Sequence, residues 1–101
     1  MLKIQRTGRF NQQLDELCFE DLELAMLVSN LIALFQKNPE DTRLDNHPLR
    51  KPMEGRWAFS VTDDIRIVYK WTNKTTARFL DIGPHTKVYV KANAKKQSPK
   101  R

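Results

Sequence analysis

Residues 55–89, GRWAFSVTDDIRIVYKWTNKTTARFLDIGPHTKVY, alternate apolar and polar side chains in three runs parted by two short breaks rich in Asp, Asn and Thr. A period of two marks strands with unlike faces, so the stretch predicts three antiparallel strands joined as a meander. In the first run Trp57, Phe59 and Val61 share a face. In the second, Ile65, Ile67, Tyr69 and Trp71 do, which leaves Arg66, Val68 and Lys70 on the other side. The third run, residues 77–82, sets Arg78, Leu80 and Ile82 against Ala77, Phe79 and Asp81. Asp63-Asp64 and residues 72–75 make the turns. One face is strongly apolar and needs a helical cover; the other carries Arg66 and Lys70, with Arg78 a third if the register brings it there, and suggests an anionic partner.

The first half of the chain supplies the cover. Residues 1–6 alternate, with Leu2 and Ile4 opposite Lys3 and Gln5, as a short edge strand would. Phe10, Leu14, Leu17 and Cys18 then form one stripe of a helix over residues 9–18. Asp21 can cap a second helix, along which Leu24, Leu27, Val28, Leu31, Leu34 and Phe35 recur at helical spacing. Leu22, Met26 and Ile32 occupy a further face, which implies contacts with both the first helix and the sheet. Asn38-Pro39 stops it, because Pro lacks the amide donor and disfavours helical geometry in the residue before it. The expected fold is therefore α+β, an N-terminal helical hairpin packed on a small antiparallel sheet.

Residues 39–54 hold three of the five prolines and no periodicity, so they read as a loop long enough to be functional; it contains His47, Arg50 and Lys51. Beyond the third strand, Gly83-Pro84-His85 turns into a short extended piece, Val88-Tyr89-Val90. Residues 92–101 are Lys-rich and almost without large apolar side chains, which predicts a mobile basic tail behind a single domain over residues 1–91. A chain of 101 residues has room for one modest core. No apolar run approaches the roughly 20 residues of a membrane span, and the N-terminus lacks the apolar middle of a signal peptide, so the expected location is the cytoplasm. The lone Cys18 agrees, as a small apolar filler among Leu17, Phe19 and Leu22.

The net charge of +6 is unevenly divided. Residues 1–9 sum to +3, residues 10–42 to −6 with Lys37 facing seven acids, and residues 43–101 to +9. An acidic helical part beside a basic sheet and tail attracts phosphates to the basic side. One Cys and two widely spaced His give no zinc pattern, and there is neither a Gly-rich phosphate loop nor a nucleophile elbow, so no metal or nucleotide cofactor is expected. What remains is His, Arg, Lys and Tyr. That set suits phosphodiester cleavage by proton transfer and charge neutralisation, with RNA supplying its own nucleophile in the 2′-hydroxyl.

Within it, His85 follows a Gly-Pro turn at a strand end, and its imidazole can exchange protons near neutral pH. His47, before a Pro in the long loop, is either a second proton-transfer group or a packing residue. Arg66 breaks the apolar strand on its polar face, where its planar fork can grip phosphate oxygens or instead pair with Asp64 or Asp81. Tyr89 is an orienting aromatic or a packing one. Lys51, Lys70, Arg78 and Lys87 are candidate contacts to the RNA backbone, whereas Trp57 and Trp71 fall on the apolar face and read as core.

Taken in order, the His-Pro-Leu loop, G-x-W-A-F-S-V, R-I-V-Y and D-I-G-x-H-x-x-V-Y resemble the RelE/StbE toxins of bacterial type II toxin–antitoxin systems, in particular their YafQ-like branch, over residues 2–90. The resemblance implies a microbial-ribonuclease-like fold and a metal-independent mRNA interferase that enters the ribosomal A site, cuts the codon there and is held inactive by an antitoxin. By position it implies that Arg66 stabilises phosphate, that His85 is the catalytic His, that His47 is the loop His and that Tyr89 is the C-terminal aromatic. Related sequences often read G-S/T-H-D where this chain has Pro84 and Thr86, so Asp81 is the acid left to orient His85. A ParE-like gyrase poison and a catalytically weak relative that mainly binds its antitoxin are the alternatives on the same scaffold.

Overall fold

A computed structural model describes residues 1–51 and 53–85. Lys87, Tyr89, the extended piece at residues 88–90 and the basic tail lie outside the described residues. The elements run β1 (Lys3–Arg6), α1 (Gly8–Leu17), α2 (Leu22–Lys37), a 3-10 turn (Thr42–Leu44), β2 (His47–Pro48), β3 (Trp57–Ser60), β4 (Ile65–Asn73) and β5 (Thr76–Pro84). The five strands form one sheet in the order β1-β5-β4-β3-β2.

The helix boundaries follow local chemistry. Thr7 caps α1 by accepting the Phe10 amide, and Asp21 caps α2 by accepting that of Leu24. At the far end the Asn38 amide closes onto Leu34 before Pro39 ends the helix. The meander is antiparallel as expected, with Phe59 opposite Ile67 and Ile67 opposite Ile82. β1, however, pairs parallel with β5, so the sheet is mixed. Two strands that distant in sequence are under no hairpin constraint to run in opposite directions.

Between helices and sheet, Phe10, Phe35, Phe59, Tyr69 and Phe79 are fully buried with Leu44, Ile67 and Ile82, and Val28 and Ile32 are buried beside them. Phe35 is the hub. Its ring stacks on Phe59 at 4.8 Å and meets Tyr69 edge-on at 4.9 Å. Trp57 and Trp71 pack against this core. Three expectations fail in detail. Leu22 and Met26 stay exposed at 74% and 58%, because α2 turns them away from both sheet and α1, while Ile32 is buried. Cys18 is half-buried at the end of α1; burial, with Asp21 and Asp15 nearby, pushes its thiol pKa up and keeps it protonated. In β5, Ala77 and Phe79 face the core, but so does Ile82, since a β-bulge leaves Leu80 unpaired and shifts the alternation by one residue.

Candidate functional site

The uncovered face of the sheet is not uniformly basic. Leu49 and Met53 fold over Ala58 and Val68 to make a small second core across its middle, with Val68 fully buried. This apolar ridge divides the cations. Lys70 and Arg78 stand directly opposite each other on one side, both exposed and without an acidic partner among the described residues. Like charges so placed repel and favour an anionic neighbour. Lys51 is also exposed, on the loop beside the ridge.

Arg66 lies on the other side of the ridge, and the β3–β4 turn determines its posture. Thr62 Oγ1 accepts the amides of Asp64 and Ile65, and the Val61 amide donates to Ile65 O, which fixes the turn. Its outward carbonyls then receive Arg66: Nη1 donates to Thr62 O at 2.8 Å and to Asp63 O at 2.7 Å. The guanidinium therefore bonds backbone rather than forming the ion pair to Asp64 or Asp81 that the sequence left open. One nitrogen is anchored, and the edge formed by Nε and Nη2 has no protein partner among the described residues. A planar fork held on one side and open on the other is preorganised for two oxygens of a phosphate.

His85 comes to the same end of the sheet. Arg66 is paired with Gly83, and the His85 amide donates to Asp64 O at 2.6 Å, which extends the β4–β5 ladder past Ile65 and Pro84. Arg66 and His85 are thus diagonal neighbours, with Cα atoms roughly 7–8 Å apart at sheet spacings. Gly83, opposite Arg66, adds no side chain between them. His85 is exposed.

His47 is placed differently. In the two-residue β2 it pairs with Ala58, and its Nδ1 lies 2.7 Å from Asp45 O, so the ring is tied to its own loop. Sheet spacings put its Cα about 12 Å from that of Arg66 and about 19 Å from that of His85. The two imidazoles thus belong to strand positions three steps apart in the sheet, at β2 and at the end of β5. Asn46 secures this loop to the core: its Nδ2 donates to Pro39 O, and its Oδ1 accepts the Tyr69 hydroxyl at 2.8 Å. Burial pushes the Tyr69 pKa up to about 12.

Asp81, read from sequence as the acid beside His85, is held from α1. Arg9 Nε reaches its Oδ1 at 2.6 Å and Gln13 Nε2 at 3.3 Å, while Gln13 Oε1 accepts the Ile82 amide. These bonds occupy the β5 edge just where β1 has ended. Their physical role is to close that edge.

A polar cleft of about 310 Å³ opens beside Arg66, between the 3-10 turn and the β3–β4 turn, lined by Arg43, Asp45, Ser60, Thr62, Asp63 and Arg66. The sequence reading missed Arg43 and Ser60. Arg43 lies in the 39–54 loop and carries no motif of its own; Ser60, in the G-x-W-A-F-S-V run, reads as an ordinary strand residue. Among the described residues no three His, Cys, Asp or Glu side chains gather as a metal site, and no helix is long and apolar enough to cross a membrane.

Two helices on one face of a mixed five-strand sheet make a fold that this chain shares with solved toxin structures. The structure of YafQ from E. coli strain BL21(DE3) superposes with a TM-score of 0.69 at 21% identity, covering 88% of this chain and 99% of that one. A YoeB/ParE toxin from Agrobacterium tumefaciens gives 0.71 at 19% identity, covering 83% and 99%. A metal-bound toxin from Helicobacter pylori gives 0.68 at 21%, covering 87% and 99%. By sequence, no protein-family model and no curated relative matches the chain. The fold expected from the sequence resemblance is thus the one found.

Proposed function

We propose that this protein is the toxin of a type II toxin–antitoxin pair and acts as a metal-independent endoribonuclease on mRNA in the ribosomal A site. The observation that carries this reading is the open fork of Arg66, fixed by the Thr62 and Asp63 carbonyls and set diagonally from His85. The shared fold with YafQ and a YoeB/ParE toxin supports the toxin role.

The chemistry follows from what each group can do. The 2′-oxygen attacks the adjacent phosphorus as its proton departs, and the bond to the 5′-oxygen breaks, giving a 2′,3′-cyclic phosphate and a 5′-hydroxyl end. Charge builds on the equatorial oxygens in between, where the Nε and Nη2 edge of Arg66 stabilises it. His85 transfers a proton to or from the reacting oxygens, a contribution of about 10² to 10⁴ in rate. His47, on β2 and tied through Nδ1 to Asp45 O, serves the RNA further along its path. An antitoxin peptide that neutralises the protein has to cover this end of the sheet.

The test is induced expression in bacteria with mapping of mRNA 5′ ends. Cuts in frame with codons, bearing 5′-hydroxyl ends and abolished by Arg66→Ala and by His85→Ala, are expected. Folded variants that cut as well as the parent would remove these residues from the site. Intact mRNA with inhibited DNA supercoiling would replace the reading with a gyrase poison.

A further inference from the structure

The apolar ridge at Leu49 and Met53 blocks the direct path along β4 from Arg66 to Lys70 and Arg78. An RNA strand gripped at Arg66 has a second way out, sideways into the cleft that runs from Arg66 and Ser60 to Arg43. That cleft places two guanidiniums on its walls beside Asp45 and Asp63, and each guanidinium is held by the protein. Arg66 is fixed by the turn carbonyls. Arg43 is fixed by Asp41, whose carboxylate receives Nε at 2.9 Å and Nη2 at 2.8 Å and also caps the 3-10 turn through the Arg43 amide. Nη1 of Arg43 has no partner among the described residues and remains available. The Ser60 hydroxyl, across the pleat from Arg66, adds a neutral donor between them.

We propose that this cleft is a second phosphate subsite, in which Arg43, with Ser60, binds the RNA backbone phosphate next to the linkage that Arg66 holds. The proposal rests on the nucleic-acid reading above and extends it to residues that reading does not use. The lining carries Asp45 and Asp63 as well as the two arginines, so recognition rests on directed donors, the Ser60 hydroxyl and the free edge of the Arg43 guanidinium, rather than on net charge. Asp41 acts as the competing anion. It holds the Arg43 side chain in place when RNA is absent and reduces its pull on phosphate when RNA arrives.

The experiment is an NMR titration of the intact protein with a 2′-O-methyl adenosine trinucleotide, which has phosphates but cannot be cleaved by its own 2′-oxygen. Amides of Arg43, Ser60 and Thr62 are expected to shift together and saturate. Arg43→Ala should weaken binding about tenfold, the usual size for one charge-assisted contact. It should also lower the slope of log affinity against log salt by about 0.7, one single-strand phosphate contact. Asp41→Asn keeps an oxygen to cap the turn and removes the competing charge, so it should tighten binding. Cleft amides that do not move, or an Arg43→Ala protein with parental affinity and slope, would overturn the subsite. The two claims separate cleanly: codon-phased cleavage with a silent cleft retires the subsite alone, and a responsive cleft without cleavage retires the nuclease alone.

Discussion

Replacing Tyr69 by Phe gives a direct measure of how firmly the His47 loop is tied to the core. The ring is fully buried, and only the hydroxyl reaches out, to Asn46 Oδ1. Near neutral pH the variant loses one hydrogen bond, a cost of about 0.5–1.5 kcal/mol. The informative range is alkaline. The folded phenol titrates near 12, while an unfolded one titrates at about 10. Below pH 10 both states are neutral and the contribution is complete; between 10 and 12 only the unfolded chain loses its proton, so stability falls as pH rises. Linkage then predicts that the wild type loses about 1.4 kcal/mol at pH 11 relative to pH 8, rising towards about 2.7 kcal/mol beyond pH 12, over and above what all other groups contribute. Tyr69→Phe lacks that increment. Urea unfolding of both proteins at pH 8, 10 and 11 reads it as a difference of differences. A wild-type and variant pair whose stability gap stays constant from pH 8 to 11 would show that the phenol is not sealed in the core, and the account of the loop anchor would fall with it.

Thr62→Ala removes the acceptor for two turn amides, and about 1–2 kcal/mol of stability should go with it; the Arg66 side-chain signals should broaden in NMR, and Thr62→Ser should restore both. Arg66→Lys is expected to lower cleavage about 100-fold with little loss of stability, measured on ribosome-bound mRNA, since an ammonium cannot hold two carbonyls and still offer a bidentate edge. Arg9→Ala leaves the largely buried Asp81 carboxylate with Gln13 alone, which should cost about 1–3 kcal/mol in chemical denaturation, and Asp81→Asn in the same background should recover part of it.

The sequence made the meander, both helices and their caps legible because each is enforced by a local rule. Alternation decides the faces of β3 and β4, and Asp21 and Asn38 delimit α2. What it could not convey are the places where one residue's fate depends on a partner far along the chain. Leu80 looks like any strand residue, and only the pairing with β4 makes it surplus. Leu49 and Met53 show no period, so nothing marked them as a lid over Val68. Proximity in sequence points Asp81 toward His85, whereas Arg9 and Gln13, about seventy residues earlier, hold it. Arg66 stood out for the same reason in reverse. A cation inside an apolar strand is a local anomaly, and alternation alone says which side it faces.

The surplus residue in β5 has an effect three positions away. With unbroken pairing, Ile82 would sit across from Arg66 and Gly83 across from Ile65, so a branched hydrocarbon would crowd the guanidinium. Skipping one residue exchanges them, giving the isoleucine to the interior and the bare backbone to the guanidinium. The space around that side chain is consequently made by counting, through the length of the strand, as much as by the glycine itself.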